Sequence, residues 1–153
     1  MSLKSSITSA MVEAMRAKEK ARLDTLRLIL AKIKQAEVDK GKRDTGLEDT
    51  EIVGLLSSML KERKDAIDQF TAGKRLDLAE KEQKEINVIQ EFLPEPLSTE
   101  EVNQIIHSTL QECGAKTIAD MGTVMQLLKS RLQGRTDMSQ VSVMVKHFLS
   151  KKD

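Results

Sequence analysis

Apolar residues recur at helical spacing along most of the chain, and the breaks between runs carry glycine, proline or clustered charge. Leu3, Ile7, Met11, Ala14 and Met15 fall on one face of a first helix. Leu23, Leu26, Leu30 and Ile33, widened by Leu28 and Ile29, predict a second helix running to Val38 or Asp39. Ala17 to Ala21 holds no helix breaker, so the pattern marks no clear turn between these two runs. Asp39 to Gly46 carries two glycines and mixed charge and predicts an exposed loop. A third helix is expected from a cap near Asp49 or Thr50 to a stop at Gly73, with Ile52, Leu55, Leu56, Met59, Leu60, Ile67 and Phe70 facing inward. A fourth starts near Asp77 and buries Ala79, Ile86, Ile89 and Phe92. Its first two turns, Glu80 to Glu85, are almost wholly polar and are expected to stand in solvent.

Leu93-Pro94-Glu95-Pro96-Leu97 interrupts the helical pattern. Each proline lacks an amide hydrogen and disfavours helix in the residue before it, so an extended linker is predicted over 94–97. It separates a domain over 1–93 from a second over 98–153. Ser98 with Glu101 forms a capping-box pattern for a fifth helix bearing Val102, Ile105, Ile106 and Leu110. Gly114 ends that helix, and Thr117 or Asp120 can accept the free amide hydrogens of the next first turn. Met121, Val124, Met125, Leu128 and Leu132 make the apolar face of a sixth helix, which Gly134 stops. Asp137 caps a seventh, with Met138, Val141, Val145, Phe148 and Leu149 inward and a frayed tail at Lys151-Lys152-Asp153. The expected fold is all-α: an amino-terminal bundle of about four helices, a proline linker and a three-helix carboxy-terminal domain.

Composition agrees. Aromatics are 2% of the 153 residues, Trp and Tyr are absent, and helix formers dominate. The single Cys113 excludes an internal disulfide and fits a reducing cytoplasm, the expected location. No apolar run approaches the roughly 18 residues of a membrane span, so no membrane partner is expected.

The net charge of +1 conceals a strong asymmetry. Residues 16–43 hold ten Lys/Arg against four Asp/Glu, residues 48–101 seven against fourteen, and residues 102–153 seven against four. Such a distribution either steers a polyanion or lets neighbouring helices of opposite sign attract one another.

The inventory of reactive groups is thin. His107, His147 and Cys113 have no metal-ligand spacing, so no metal is expected. No nucleophile elbow and no phosphate-cradling loop is present, so neither catalytic residues nor a cofactor are expected. The acidic residues of the third and fourth helices read as solvated faces with i, i+4 pairs such as Glu80 with Lys84 and Lys81 with Glu85. Two features remain. Gly122, in the first turn of the sixth helix, either admits a phosphate to free amides or lets a neighbouring helix pack close. Lys116, Lys129, Arg131 and Arg135 form a basic set with no aromatic nearby, which suits phosphate contact rather than base stacking.

Gly114-Ala115, the run Asp120 to Leu128, Leu132 and Gly134-Arg135-Thr136-Asp137 together resemble the carboxy-terminal motif of the YqeY family. Arg22 to Leu28, Arg63 to Ile67, Asp77 to Glu82 and Phe92-Leu93-Pro94 fit the same family, so the resemblance covers the whole chain. A domain of this kind also forms the tail of GatB, a subunit of the tRNA-dependent amidotransferase. The resemblance implies association with tRNA and a link to aminoacyl-tRNA amide transfer, a carbon–nitrogen ligation with glutamine as amide donor. The chain has no counterpart of the cradle domain or amidase partner that perform that chemistry. On the matching positions, the residues implied for tRNA contact are Lys116, Gly122, Lys129, Gly134 and Arg135, with Arg131 outside the motif. A tRNA-processing or aminoacylation protein is a second implied partner. The alternative is a helical protein–protein adaptor with no nucleic-acid role, for which Met11, Met15, Met59, Met121, Met125, Met138 and Met144 would supply an adaptable surface if they were not core filler.

Overall fold

The computed structural model describes residues 2–150, so the tail over 151–153 lies outside the described residues. The described residues form seven α-helices, one 3-10 turn and no strand, so the protein is all-α as its spacing predicts. They are α1 (Leu3–Arg16), α2 (Lys20–Asp39), α3 (Asp49–Ala72), α4 (Leu76–Gln90), α5 (Thr99–Cys113), the turn Ile118–Asp120, α6 (Met121–Leu132) and α7 (Met138–Ser150). The chain divides into two compact units, residues 1–94 and 95–153.

The first unit is built on Ile7, Leu26, Ile29, Ile33, Ile52, Leu56 and Ile89, all fully buried. α1 and α2 form a tight hairpin whose turn the apolar pattern does not mark. Lys18 adopts a left-handed backbone (φ 59°), the Lys18 amide bonds the Met15 carbonyl and the Glu19 amide bonds the Ala14 carbonyl. A residue that continues a helix well in isolation ends one here, because folding back is what buries Leu26 and Ile29 against α1.

α3 and α4 share the most extensive helix–helix contact in the molecule. Only the first half of α3 (Ile52 to Leu60) and the end of α4 with the residues after it (Val88 to Leu93) join the core. The remaining turns pack on each other as a two-helix arm, and residues 71–77 at its tip are all exposed. The polar start of α4 is therefore only partly in solvent. Glu82 and Glu85 are half-buried beside Arg63, whose Nε donates to Glu85 at 2.9 Å and lies 3.9 Å from Glu82. Glu85 thus pairs across the helices rather than with Lys81, whereas Glu80 and Lys84 do form an i, i+4 pair at 3.8 Å. Burial, with the Glu85 charge next, raises the Glu82 carboxyl above its ordinary range.

A second departure from the helical pattern is Glu37. It occupies a polar register of α2 yet is 5% exposed, held by the Lys4 ammonium at 3.0 Å to both oxygens and by the Leu47 amide at 3.2 Å. Gly46 has φ 77°, and a Cβ there would lie 3.2 Å from Glu37 Oε2. The α2–α3 loop is fastened further by Glu51, which accepts from Lys40 and Lys42 at 3.0 and 2.8 Å. The residue preceding α3 is Glu48, a little ahead of the expected Asp49 or Thr50. The Glu48 amide bonds Glu51, while Asp49 accepts the Leu3 amide at the start of α1.

The second unit packs α5, α6 and α7 around Ile106, Val124, Leu128, Leu132, Val141 and Val145. Its methionines are filler: Met121, Met125, Met138 and Met144 pack against this core, as Met11 and Met59 do in the first unit, and Met15 is the one exposed methionine among the described residues. The Ser98–Glu101 capping box opens α5 and left-handed Gly114 (φ 63°) closes it.

Candidate nucleic-acid interface

The sequence places its candidate contacts around α6, and local backbone chemistry decides what each can do. Ahead of the helix, the Asp120 carboxylate reaches backwards and accepts the amides of Lys116 and Thr117 at 2.9 and 3.1 Å. The Lys116 amide bond first, then that of Thr117, holds the Asp120 carboxyl below its usual range. The Asp120 and Met121 amides bond the carbonyls of Thr117 and Ile118. Asp120 therefore organises the turn before α6 instead of capping the amides inside it, and those two preceding amides already hold an anionic group.

Gly122 lies in the first turn of α6 and is exposed, with nothing within 4 Å of a Cβ placed on it. The close-packing explanation for this glycine does not hold, because no neighbouring helix approaches it. Its face of the helix continues through Gln126 and Lys129, all three exposed. Residues at i, i+4 and i+7 stand above one another on a helix, so these three form one open line about 10 Å long. Sequence reading passed over Gln126, although the spacing was there to find it. Lys129 and the exposed Lys116 have no ion-pair partner among the described residues.

The two arginines are engaged within the unit. Arg131 points to α5, where it donates to the hydroxyl of fully buried Thr109 at 2.8 Å and pairs with Glu112 at 2.5 Å. It also lines a shallow cleft of about 410 Å³ with Gln104, Ile105 and Ser108. Arg135 donates from Nε to the Glu95 carbonyl at 3.3 Å, and its own carbonyl accepts the Leu97 amide at 2.8 Å. Gly134, at φ 84°, supplies the left-handed turn that presents Arg135 to that segment. The structure thus groups Gly122 and Lys129 with Gln126 on one face and gives Gly134 and Arg135 an internal task.

Other reactive groups are scattered. His107 meets Phe148 in a tilted ring contact with centroids 4.5 Å apart, and Cys113 is half-buried against the core. No group of three or more metal-ligating side chains converges among the described residues. No helix among them is long and apolar enough to cross a membrane.

The model of the Yqey-like protein family matches residues 4–149. An uncharacterised protein of Schizosaccharomyces pombe is 34% identical over 96 residues, 63% of this chain and 76% of the relative. The protein named altered inheritance of mitochondria protein 41, mitochondrial, is 36% identical over 81 residues in Vanderwaltozyma polyspora, 53% of this chain and 43% of the relative. Its namesake in Pyrenophora tritici-repentis is 32% identical over 123 residues, 77% of this chain and 66% of the relative. Against several of these fungal proteins the match spans only about half of the relative's length. With nearly its whole length matched by the family model, the chain belongs to the YqeY family.

Proposed function

We propose that this protein associates with tRNA through the outward face of α6, and that it serves aminoacyl-tRNA amide transfer whose chemistry is carried out by other proteins. The observation that carries the reading is the contrast among its basic residues. Lys116 and Lys129 are exposed and without an ion pair among the described residues, whereas Arg131 and Arg135 are tied inside the unit. An exposed lysine about 10 Å along the same open line as side-chain-free Gly122 suits a phosphate backbone, since phosphate contacts need charge and close approach but no base-reading geometry. Glutamine-dependent carbon–nitrogen ligation enters as the reaction of the wider assembly. Nothing in the thin inventory of nucleophiles assigns a step of it to this chain, and a cytoplasmic site of action belongs to the same proposal.

The test is direct binding of tRNA to the purified protein at low salt, followed by salt titration, with an amidation assay in parallel. Phosphate-mediated binding weakens steeply as salt rises. The adaptor reading is favoured by the exposed Val143 and Ile118, 69% and 48% accessible, and it predicts capture of a protein with little salt dependence. Glutamine, ATP and misacylated tRNA given to the protein alone are expected to yield no amidated product. Turnover that follows the purified chain would overturn that assignment.

A further inference from the structure

The outer face of α2 carries positive charge that the fold does not use. Lys20, Arg27 and Lys34 recur at i, i+7 and i+14, a spacing that drifts only about 20° per step, and all three are exposed. At 1.5 Å rise per residue they stand about 10.5 Å apart along a line of about 21 Å. Arg16 and Lys18 continue the charge onto the preceding turn, and the exposed Lys32 stands on another side of α2. None of these six has an ion-pair partner among the described residues. Lys4, Arg22, Lys40 and Lys42, by contrast, are paired with Glu37, Glu91 and Glu51. Asp24 is the one acid on the outer line, set between Lys20 and Arg27.

One of the cations sits where its own helix gains nothing from it. Lys20 is the first residue of α2, at the end of the helix dipole that disfavours a positive charge, and no acid occupies that first turn. Lys18, one residue past the C-cap of α1, stands by contrast at the end of a helix dipole that favours a cation. The Lys20 charge therefore does nothing for its own helix and stays available to an anionic ligand.

We infer that the α2 outer face is a second RNA-binding surface, which engages the phosphate backbone of folded or duplex RNA without reading sequence. A protein partner would need an apolar centre of contact, and the line offers only Ala31 and Val38, with Leu28 at its edge. A membrane is disfavoured because the apolar face of α2, through Leu26, Ile29 and Ile33, is already buried in the core and cannot insert. Duplex nucleic acid presents about one charge per 1.7 Å of axis, so a 21 Å line of cations meets phosphates in any register. The partner class is the one proposed above, but the residues and the unit are different, so the two surfaces stand or fall separately.

The experiment compares the full chain with Lys20→Gln/Arg27→Gln/Lys34→Gln and with Lys116→Ala/Lys129→Ala, using a tRNA transcript, an unrelated RNA duplex and phosphatidylserine vesicles as probes. The triple variant is expected to keep its helicity by circular dichroism and to flatten the slope of log affinity against log salt by about 2.1 to 2.7, equally for both RNAs. A Lys20→Arg/Lys34→Arg variant should bind as the wild type does. An unchanged slope in the triple variant overturns this inference, and if the double variant weakens binding at the same time the α6 reading stands. Loss only in the triple variant supports the α2 surface and removes the α6 face. Vesicle binding without RNA binding, or no RNA binding by the wild type at low salt, overturns it.

Discussion

Arg135 reaches 40 residues back along the chain to donate from Nε to the Glu95 main-chain carbonyl, and returns the tie through its own carbonyl to the Leu97 amide. Pro94 and Pro96 deny this segment helical hydrogen bonds, so these two contacts are what hold it to the α6–α7 turn. An arginine within the family motif thus acts as a clamp on the main chain.

Arg135→Ala removes the side-chain half of the clamp. Limited proteolysis near Glu95 is expected to quicken relative to wild type, while cleavage within the helices stays unchanged. Equal cleavage rates in the two proteins would show that the Leu97–Arg135 backbone bond suffices.

Glu37→Ala leaves the Leu47 amide without its acceptor and Lys4 without its carboxylate. A destabilisation of about 1–3 kcal/mol is expected in urea denaturation, the usual cost of orphaning a buried polar group. A change inside about 0.5 kcal/mol, typical of surface positions, would mean that the loop re-forms around another partner.

The Glu51 carboxyl is held down to about 2 from the ordinary 4.5, first by Lys42, then by the Glu48 amide and Lys40. A carboxyl whose folded pKa is depressed stabilises the fold fully above its unfolded pKa and loses that contribution as pH falls through the folded value. Thermal midpoints of wild type and Glu51→Gln should therefore differ most above pH 4.5 and converge as pH approaches 2. Parallel curves across that window would exclude Glu51 as the source. Glu82, with its carboxyl raised, acts with the opposite sign and is common to both proteins.

Gly122→Ala fills open space on an exposed helix face. Alanine is expected to stabilise the protein by up to about 1 kcal/mol, since glycine inside a helix carries an entropic cost. If Gly122 is there to admit a phosphate, the same variant binds tRNA less tightly. Greater stability with unaltered binding would leave the glycine without a role at the interface.

Apolar spacing makes the helices legible because their stability rests on burying one face, and Leu26, Ile29, Val124 and Leu128 are all buried as that spacing requires. What escapes it depends on partners distant in sequence. Glu37 looks like a surface residue until Lys4 and Leu47 arrive from other elements. Glu85 has a tempting neighbour in Lys81 but pairs with Arg63, 22 residues earlier. The α1–α2 turn is invisible because Lys18 is no helix breaker and takes its left-handed conformation only when two apolar faces close on each other. At the candidate site, the i, i+4, i+7 line of Gly122, Gln126 and Lys129 can be read from spacing alone. The clamp role of Arg135 cannot, since nothing local announces Glu95.

The proposed hold of the carboxy-terminal unit on tRNA is by phosphate contacts around the open face of α6. It is tested most directly by salt titration of tRNA binding with wild type and Lys116→Ala/Lys129→Ala, their equal helicity checked by circular dichroism. In the double variant the slope of log affinity against log salt is expected to flatten by about 1.4 to 1.8, with several different tRNAs weakened alike. An identical slope and affinity in the two proteins, or no binding by wild type at low salt, would contradict it.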